Sequence, residues 1–141
     1  MSPSGGHPSQ TSTFDLRLRA EAAQIPVARR AIADYCVRCG LPPHLVDDVR
    51  LVVTEACTNV VLHAYEGETV DDPAFELRAR VENGALVVTV SYQGRGIGAP
   101  SRNRGLGLGL RLALQLAGGV HTSDTQAGHG TCLTMRFALH A

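Results

Sequence analysis

A carboxylate and a carboxamide lie four residues apart in the most strongly helical stretch of this sequence. Residues 51–65 place apolar side chains at helical spacing without glycine or proline, which predicts a helix. Glu55 and Asn59 therefore lie one above the other on one helix face. A carboxylate can take a proton, and an amide oxygen can coordinate a hard cation such as Mg²⁺. Because a single E-x-x-x-N pattern is weak, a polar stripe that faces water is an equally good interpretation.

Two clusters of alternating glycines form a second set of residues suited to a ligand. One follows a predicted strand and the other precedes a predicted helix over residues 107–116, and their members are Gly94, Gly96 and Gly98, then Gly105, Gly107 and Gly109. Glycine lets the backbone approach a ligand closely. The N–H groups at a helix start attract anions, and Arg104 adds positive charge just before it. A surface loop explains either cluster alone, but both together, downstream of Glu55 and Asn59, favour a phosphate site.

Composition excludes several classes of protein. The chain has 141 residues, enough for one domain with its own core. Thirteen basic and thirteen acidic side chains balance, which argues against direct binding to nucleic acid or to an anionic membrane. Every basic side chain is arginine, so lysine chemistry is absent. Residues 1–12 are small and polar, which predicts a disordered tail without a signal peptide, and we expect a cytoplasmic protein with one domain over residues 13–141.

A C-x-x-C pair at Cys36 and Cys39 admits two interpretations. Such a pair can be redox-active or form half of a zinc site. It lies late in a predicted helix, however, and no second ligand pair follows at the spacing of a zinc finger. We therefore favour reduced structural thiols that are buried or half-buried.

The predicted elements fix the class of fold. They are a strand over 13–19, a helix from Pro26 to Gly40, a helix over 43–65, strands over 75–82 and 85–91, a helix over 107–116, and strands over 120–124 and 131–139. Asn83-Gly84 is a strong hairpin signal between two of these strands. Helices do not alternate regularly with strands. The order therefore predicts an α+β fold, in which an open, mostly antiparallel sheet carries its helices on one face.

In combination, these motifs resemble the GHKL ATPase superfamily with its Bergerat ATP-binding fold. The matching segments are TEACTNVVLHAY at 54–65, GRGIG at 94–98, RGLGLGL at 104–110 and GT at 130–131. Within the superfamily the chain is most similar to the anti-sigma-factor serine kinases of bacterial partner-switching systems. The resemblance covers roughly residues 13–139, and it implies a two-layer α/β sandwich with a histidine-kinase-like ATPase domain.

The resemblance implies a role for each matching residue. Asn59 would coordinate the Mg²⁺ that bridges the phosphates of ATP, and Glu55 would be the general base that takes the proton of a substrate serine. Thr131 would join the hydrogen bonds around adenine. The glycines expected to form the floor of the adenine pocket are Gly94 and Gly96. The residues expected to enclose the phosphates are Arg104, Gly105, Gly107 and Gly109.

Tyr92 departs from the family pattern. In the family the first glycine motif reads D-x-G-x-G, and its aspartate accepts a hydrogen bond from the adenine amino group. A phenol has one oxygen, carries no charge at neutral pH and is larger than a carboxylate. Loss of a charge-assisted hydrogen bond in a buried site costs about 1.5–3 kcal/mol, or roughly ten- to a hundredfold in affinity. Tyr92 therefore places both ATP and Mg²⁺ binding in question, because its ring could fill the adenine pocket.

Two functions of different classes follow. Glu55 and Asn59 favour an ATP-dependent protein-serine kinase that regulates transcription by binding a sigma factor and phosphorylating an STAS-domain anti-sigma antagonist. Tyr92 favours a non-catalytic partner-binding module with a closed nucleotide pocket. A detached ATPase domain of a histidine-kinase pathway is a weaker third alternative, because only eight residues separate Gly96 from Gly105. The resemblance also suggests a homodimer.

Overall fold

The computed structural model describes residues 13–64, 72–93, 119–124 and 130–139. Its elements, in order, are β1 (Thr13–Arg19), a short 3-10 turn (Ala22–Gln24), α1 (Ile25–Arg38), α2 (Pro43–Asn59), a π-helical segment (Val60–Ala64), β2 (Ala74–Glu82), β3 (Ala85–Gln93), β4 (Gly119–Asp124) and β5 (Gly130–Ala138). The predicted tail and the predicted helix over 107–116 lie outside the described residues. None of the helices within those residues has both the length and the hydropathy needed to cross a membrane.

Five strands form one sheet in the order β1-β2-β3-β5-β4, and each neighbouring pair is antiparallel. The hairpin between β2 and β3 turns at Asn83 and Gly84, whose φ angles are 51° and 74°. Positive φ at both central residues is the signature of the two-residue turn that matches strand twist. The α+β fold predicted from the sequence is confirmed, and β3 lies at the centre of the sheet.

One face of the sheet carries the core. Leu77, Val90 and Leu133 lie opposite one another in the strand register, and all three are buried. The helices cover this face with their own apolar side chains, which include, on α2, Val49, Val52, Val53, Ala56 and Cys57. Alternate residues of a strand point to opposite sides, so the other face carries charged side chains beside the buried Val87. There Arg78 lies 3.4 Å from Asp15 and 3.2 Å from Glu76. The helices therefore form the second layer of a two-layer sandwich.

Helix α1 is bounded as the sequence predicts. Pro26 lies in its first turn, where a missing backbone N–H costs nothing. Gly40 follows the helix with a φ of +83°, the left-handed conformation that favours glycine. The Tyr35 ring is 1% exposed, and its centroid lies 5.4 Å from that of Phe14 on β1. This aromatic contact ties the helix to the edge of the sheet.

Two element ends differ from the prediction. Regular α-helix stops at Asn59 instead of continuing to residue 65, and the π-helical segment follows it and contacts β3. A π turn hydrogen-bonds to the fifth residue instead of the fourth, and apolar spacing over a single turn does not reveal the change. Strand β3 runs to Gln93, beyond the predicted end at residue 91. Tyr92 therefore belongs to the strand, where it pairs with Phe75 on β2 and with Thr131 on β5.

Candidate functional site

Asn59 is the one buried polar side chain among the described residues, with 6% of its surface exposed. Its amide nitrogen donates a hydrogen bond of 2.8 Å to the backbone carbonyl oxygen of Glu55. This bond fixes the carboxamide against its own helix and uses the nitrogen. The amide oxygen is consequently the atom left to accept a donor or to coordinate a cation. A polar stripe facing water, one of the two interpretations of the sequence, does not describe a side chain this deeply buried.

Glu55 lies one helical turn before Asn59 and is half-buried. No described residue forms a hydrogen bond or an ion pair with its carboxylate. A carboxylate on a rigid helix, without an internal partner, can accept a proton from a bound group. The structure thus brings Glu55 and Asn59 together as the sequence predicts, and their roles in catalysis and Mg²⁺ binding stay predictions.

The hydrogen bonding of the helix differs from that of a regular α-helix both before and after Asn59. The Thr54 hydroxyl donates to the carbonyl oxygen of Arg50, and the Thr58 hydroxyl donates to that of Thr54, each at 2.7 Å. Such bonds to the preceding turn often bend a helix. The π-helical segment begins directly after Asn59, and π turns within helices occur frequently at functional sites. The local geometry of α2 therefore changes where the candidate ligand group lies.

Tyr92 is 3% exposed, and its hydroxyl oxygen is itself inaccessible to solvent. It belongs to the same apolar cluster as Val60, the first residue of the π-helical segment. In the register it lies between Phe75 and Thr131, so the two sequence positions assigned to the adenine end are neighbours on adjacent strands. The structure therefore places positions 92 and 131 side by side and packs the phenol of Tyr92 inside the core, and their roles around adenine stay predictions.

Asp124 occupies the next position in this row of the sheet. It pairs with Thr131 on β5, one strand further from Tyr92. Neighbouring strands lie about 4.8 Å apart, so the backbones at 92 and 124 are separated by roughly 10 Å. Sequence reasoning missed the place of Asp124 in this row. The strand alternation around residues 119–138, read as a hairpin, would have revealed it.

Six of the predicted site residues lie outside the part of the chain that the structure describes: Gly94, Gly96, Arg104, Gly105, Gly107 and Gly109. Their expected contacts with adenine and phosphates stay predictions. The described ends of the flanking strands show where the first glycine cluster must begin. Gln93, the last residue of β3, pairs with Gly130, the first residue of β5. The described part of β3 thus ends directly beside the G-T motif at residues 130–131.

The four cysteines are free thiols. Burial, reinforced by the nearby Cys39, raises the pKa of the Cys36 thiol to about 12. Burial alone raises the pKa of Cys57 to about 12. Both thiols are protonated at neutral pH and are poor nucleophiles. Within the described residues, no three His, Cys, Asp or Glu side chains form a cluster that could hold a metal ion. The burial and raised pKa of Cys36 favour the structural interpretation of the C-x-x-C pair.

Comparison with known proteins identifies the family. The family model of the histidine kinase-like ATPase domain matches residues 18–137. The chain belongs to this family. A histidine kinase-like ATPase domain is what the order of the motifs predicts, and the predicted resemblance is confirmed.

The similar curated proteins are serine-protein kinases named RsbW. The chain is 27% identical over 81 residues to RsbW of Bacillus pumilus, which is 57% of this chain and 50% of that protein. It is 30% identical over 81 residues to RsbW of Bacillus velezensis, which is 57% of this chain and 49% of that protein. The chain spans about half the length of these relatives.

The fold has a counterpart among solved structures. The crystal structure of the RsbU and RsbW domains of Rv1364c from Mycobacterium tuberculosis superimposes with a TM-score of 0.71. The match covers 92% of this chain and 33% of that chain, at 18% sequence identity. At this identity the comparison shows the fold, and it confirms the predicted two-layer architecture.

ATP is the ligand that the name of this ATPase family implies. The amide oxygen of Asn59 is a suitable ligand for the Mg²⁺ that accompanies nucleotide phosphates, because hard cations prefer oxygen. The buried hydroxyl of Tyr92 does not fit the role of the aspartate that accepts a hydrogen bond from adenine. Among the described residues, Asn59 thus offers an oxygen suited to a hard cation, and Tyr92 does not offer the acceptor that the family pattern places at position 92.

Proposed function

We propose that this chain is an ATP-dependent protein-serine kinase of the anti-sigma-factor type. The single observation that carries the proposal is the arrangement of Glu55 and Asn59. The hydrogen bond of 2.8 Å fixes the amide of Asn59, and the half-buried carboxylate of Glu55 has no partner among the described residues. Similarity to serine-protein kinases named RsbW supports the reaction type.

The partners follow from the same resemblance. The chain would bind a sigma factor and would phosphorylate a serine of an STAS-domain anti-sigma antagonist. It would thereby control which of the two partners is bound. The equal numbers of acidic and basic side chains agree with a partner that is a protein and not DNA.

The chain's own residues have separate tasks in this reaction. ATP, when bound, supplies the phosphoryl group. The amide oxygen of Asn59 would hold the Mg²⁺ at the phosphates, and the carboxylate of Glu55 would take the proton from the attacking serine hydroxyl. Phosphoryl transfer depends mainly on positioning and on charge stabilisation, and a rigid helix that carries both groups supplies the positioning.

Transfer of labelled phosphate from ATP to a purified STAS-domain protein tests the proposal. A positioned general base contributes about 10²- to 10⁴-fold to the rate, so Glu55→Gln should lower kcat by at least about a hundredfold. The matched control is Asp48→Asn, since Asp48 is also a half-buried carboxylate of α2, two turns earlier. That variant should keep its activity. Full activity of the Glu55→Gln variant would show that Glu55 is not the general base.

The second candidate function is a non-catalytic module that binds protein partners. The observation that favours it is the burial of Tyr92, which is packed in the core at the end of β3. This module would bind a sigma factor or its antagonist but would transfer no phosphate and bind no nucleotide. Measuring partner binding by size-exclusion chromatography, alongside phosphate transfer, separates the two functions.

A further inference from the structure

Two leucines are exposed on the surface of α2 and of the π-helical segment that continues it. Leu51 is 44% exposed and Leu62 is 60% exposed. The other exposed large apolar side chains among the described residues, Val27 and Val37, lie on α1. Leu51 lies one helical turn before Glu55, and Leu62 lies two turns after it. The two leucines therefore flank Glu55 along one stripe of the helix surface.

The surface between the two leucines carries threonines whose hydroxyl groups are already bonded to the helix. The Thr54 hydroxyl donates to the carbonyl oxygen of Arg50, and the Thr58 hydroxyl donates to that of Thr54. A hydroxyl has a single proton, so neither threonine has one left for a second molecule. The carboxylate of Glu55 forms no hydrogen bond or ion pair within the described residues. It is thus the one charged acceptor on a stripe that is otherwise rich in aliphatic groups. We call this surface the α2 strip, and it consists of Leu51, Thr54, Glu55, Thr58 and Leu62.

A segment that covers the α2 strip needs one hydrogen-bond donor between apolar side chains. A carboxylate accepts hydrogen bonds only, so the group opposite Glu55 must carry a proton. A serine hydroxyl meets this requirement, and in the proposed function it is the group whose proton Glu55 takes. Apolar side chains gain by leaving water against leucine, whereas a polar side chain placed there loses hydration without a new hydrogen bond. The occupant that fits is therefore a serine with aliphatic neighbours on both sides.

Helix geometry sets the spacing of these aliphatic neighbours. A helix rises about 1.5 Å per residue, so Leu51 lies about 6 Å before Glu55 along the helix axis and Leu62 about 10 Å after it. An extended chain rises about 3.3 Å per residue. An extended segment with its serine at Glu55 therefore reaches Leu51 with its second neighbour on one side and Leu62 with its third neighbour on the other.

We propose that Leu51 and Leu62 form the docking surface for the segment of the substrate that contains the phosphorylated serine, and that this segment carries aliphatic side chains near the second position on one side of the serine and the third on the other. The inference rests on the proposed function and specifies the class of substrate that the same site accepts. Both leucines are then specificity-determining residues, and neither takes part in the chemistry of phosphoryl transfer.

Steady-state transfer of phosphate from MgATP to a purified STAS-domain protein, at varied concentrations of that protein, tests this inference. Leu51→Asn and Leu62→Asn should each raise the KM for the STAS-domain protein by about tenfold, because each removes an apolar docking contact. Both kcat and the KM for ATP should stay within about twofold, since this contact is equally strong in the ground state and the transition state.

Two kinds of control variant separate an apolar docking contact from other effects. Leu51→Met and Leu62→Met keep an apolar side chain of similar volume, so their KM should stay within about threefold of the unmodified value. Val37→Asn is the matched surface control, because Val37 is 63% exposed and lies on α1. It should leave the KM unchanged. Partial unfolding would lower kcat and would not raise KM, so the split between the two constants distinguishes docking from a loss of folded protein.

The possible results separate the inference from the proposed function. An unchanged KM in both asparagine variants, with phosphate still transferred, would overturn the inference and leave the proposed function intact. If these variants lower the molecular mass in sedimentation equilibrium at an unchanged KM, the leucines bind a second copy of the chain and the inference is wrong. If the unmodified chain transfers no phosphate, the proposed function fails and the inference fails with it.

Discussion

Asn59 combines deep burial with a fixed orientation, and this combination sets it apart from the other polar residues described. Burial of an amide is unfavourable unless its groups are hydrogen-bonded. The bond to the carbonyl of Glu55 satisfies one N–H of the amide and fixes the orientation of the side chain. The neighbouring threonines differ, because the hydroxyls of Thr54 and Thr58 donate to backbone carbonyl oxygens of the preceding turn.

The buried thiols give a prediction that is independent of any ligand. Burial raises the pKa of Cys57 from 9.0 to about 12, so the folded state disfavours the thiolate. Below a pH of about 9 the thiol is protonated in the folded and the unfolded chain, so the full stabilisation from burying the neutral thiol is present. Between pH 9 and about 12 the unfolded chain ionises first, so the free energy of unfolding falls by at most about 1.4 kcal/mol per pH unit for this thiol.

Urea unfolding at about pH 8 and about pH 10 measures this loss. The matched variant is Cys57→Ala, which should lose less stability than the unmodified chain over the same interval. Cys36→Ala should behave in the same way, since burial also raises the pKa of Cys36 to about 12. Identical losses in the variants and the unmodified chain would mean that these thiols do not titrate differently in the two states.

Each of the helices that cover the sheet has an end that matters for the site. Helix α1 ends at Arg38, and the left-handed Gly40 that follows it leads the chain to Pro42 and the start of α2. Helix α2 ends as an α-helix at Asn59 and continues as a π-helical segment that contacts β3. The end of α1 therefore determines where α2 begins. The end of α2 brings the π-helical segment after Asn59 against the central strand, β3.

Gly40 gives a prediction for the first of these ends. A Cβ added at this position would meet no heavy atom within 4 Å, so space is not limiting. The φ of +83° is nevertheless unfavourable for an L residue, and Gly40→Ala should lower the free energy of unfolding by about 1–2 kcal/mol. Gly40→Asn is the control, because asparagine tolerates left-handed φ better and should cost less. Equal costs for both variants in urea unfolding would contradict a conformational cause.

Local chemistry explains which elements the sequence predicts well. Asn83-Gly84 predicts the hairpin between β2 and β3, because few other residue pairs adopt positive φ at both turn positions. The π-helical segment after Asn59 was not predicted, because one extra residue in a turn leaves the apolar pattern almost unchanged. The burial of Asn59 was also missed, since periodicity places a residue on a face and not at a depth.

The two-layer architecture gives the sheet one face that the helices cover and one face that carries charged pairs. The charged face carries exposed pairs such as Arg17 with Glu76, 3.6 Å apart, which contribute little to stability. The covered face gathers β2, β3, β5 and both helices into one apolar cluster. At one end of the sheet β3 finishes at Gln93 beside Gly130, the first residue of β5, and this is where the sequence predicts the adenine end of the site.

The arrangement of the whole sheet is the level at which sequence reasoning is least complete. The α+β class and the helices on one face follow from the order of elements. The order of elements does not predict the register between distant strands, because no local pattern contains it. The sequence therefore did not reveal the row of Phe75, Tyr92, Thr131 and Asp124. In that row Tyr92 lies on the central strand beside the G-T motif, and its side chain packs in the apolar core.

Binding of MgATP to the intact chain tests the central claim most directly. Calorimetric titration with ATP, with and without Mg²⁺, should show micromolar binding that weakens when Mg²⁺ is removed. Asn59→Ala should reduce the Mg²⁺-dependent part, because it removes the amide oxygen that would hold the cation. If no heat is detected at millimolar ATP with Mg²⁺ present, the chain is not an ATP-dependent kinase, and a protein-binding module with this fold is the correct description.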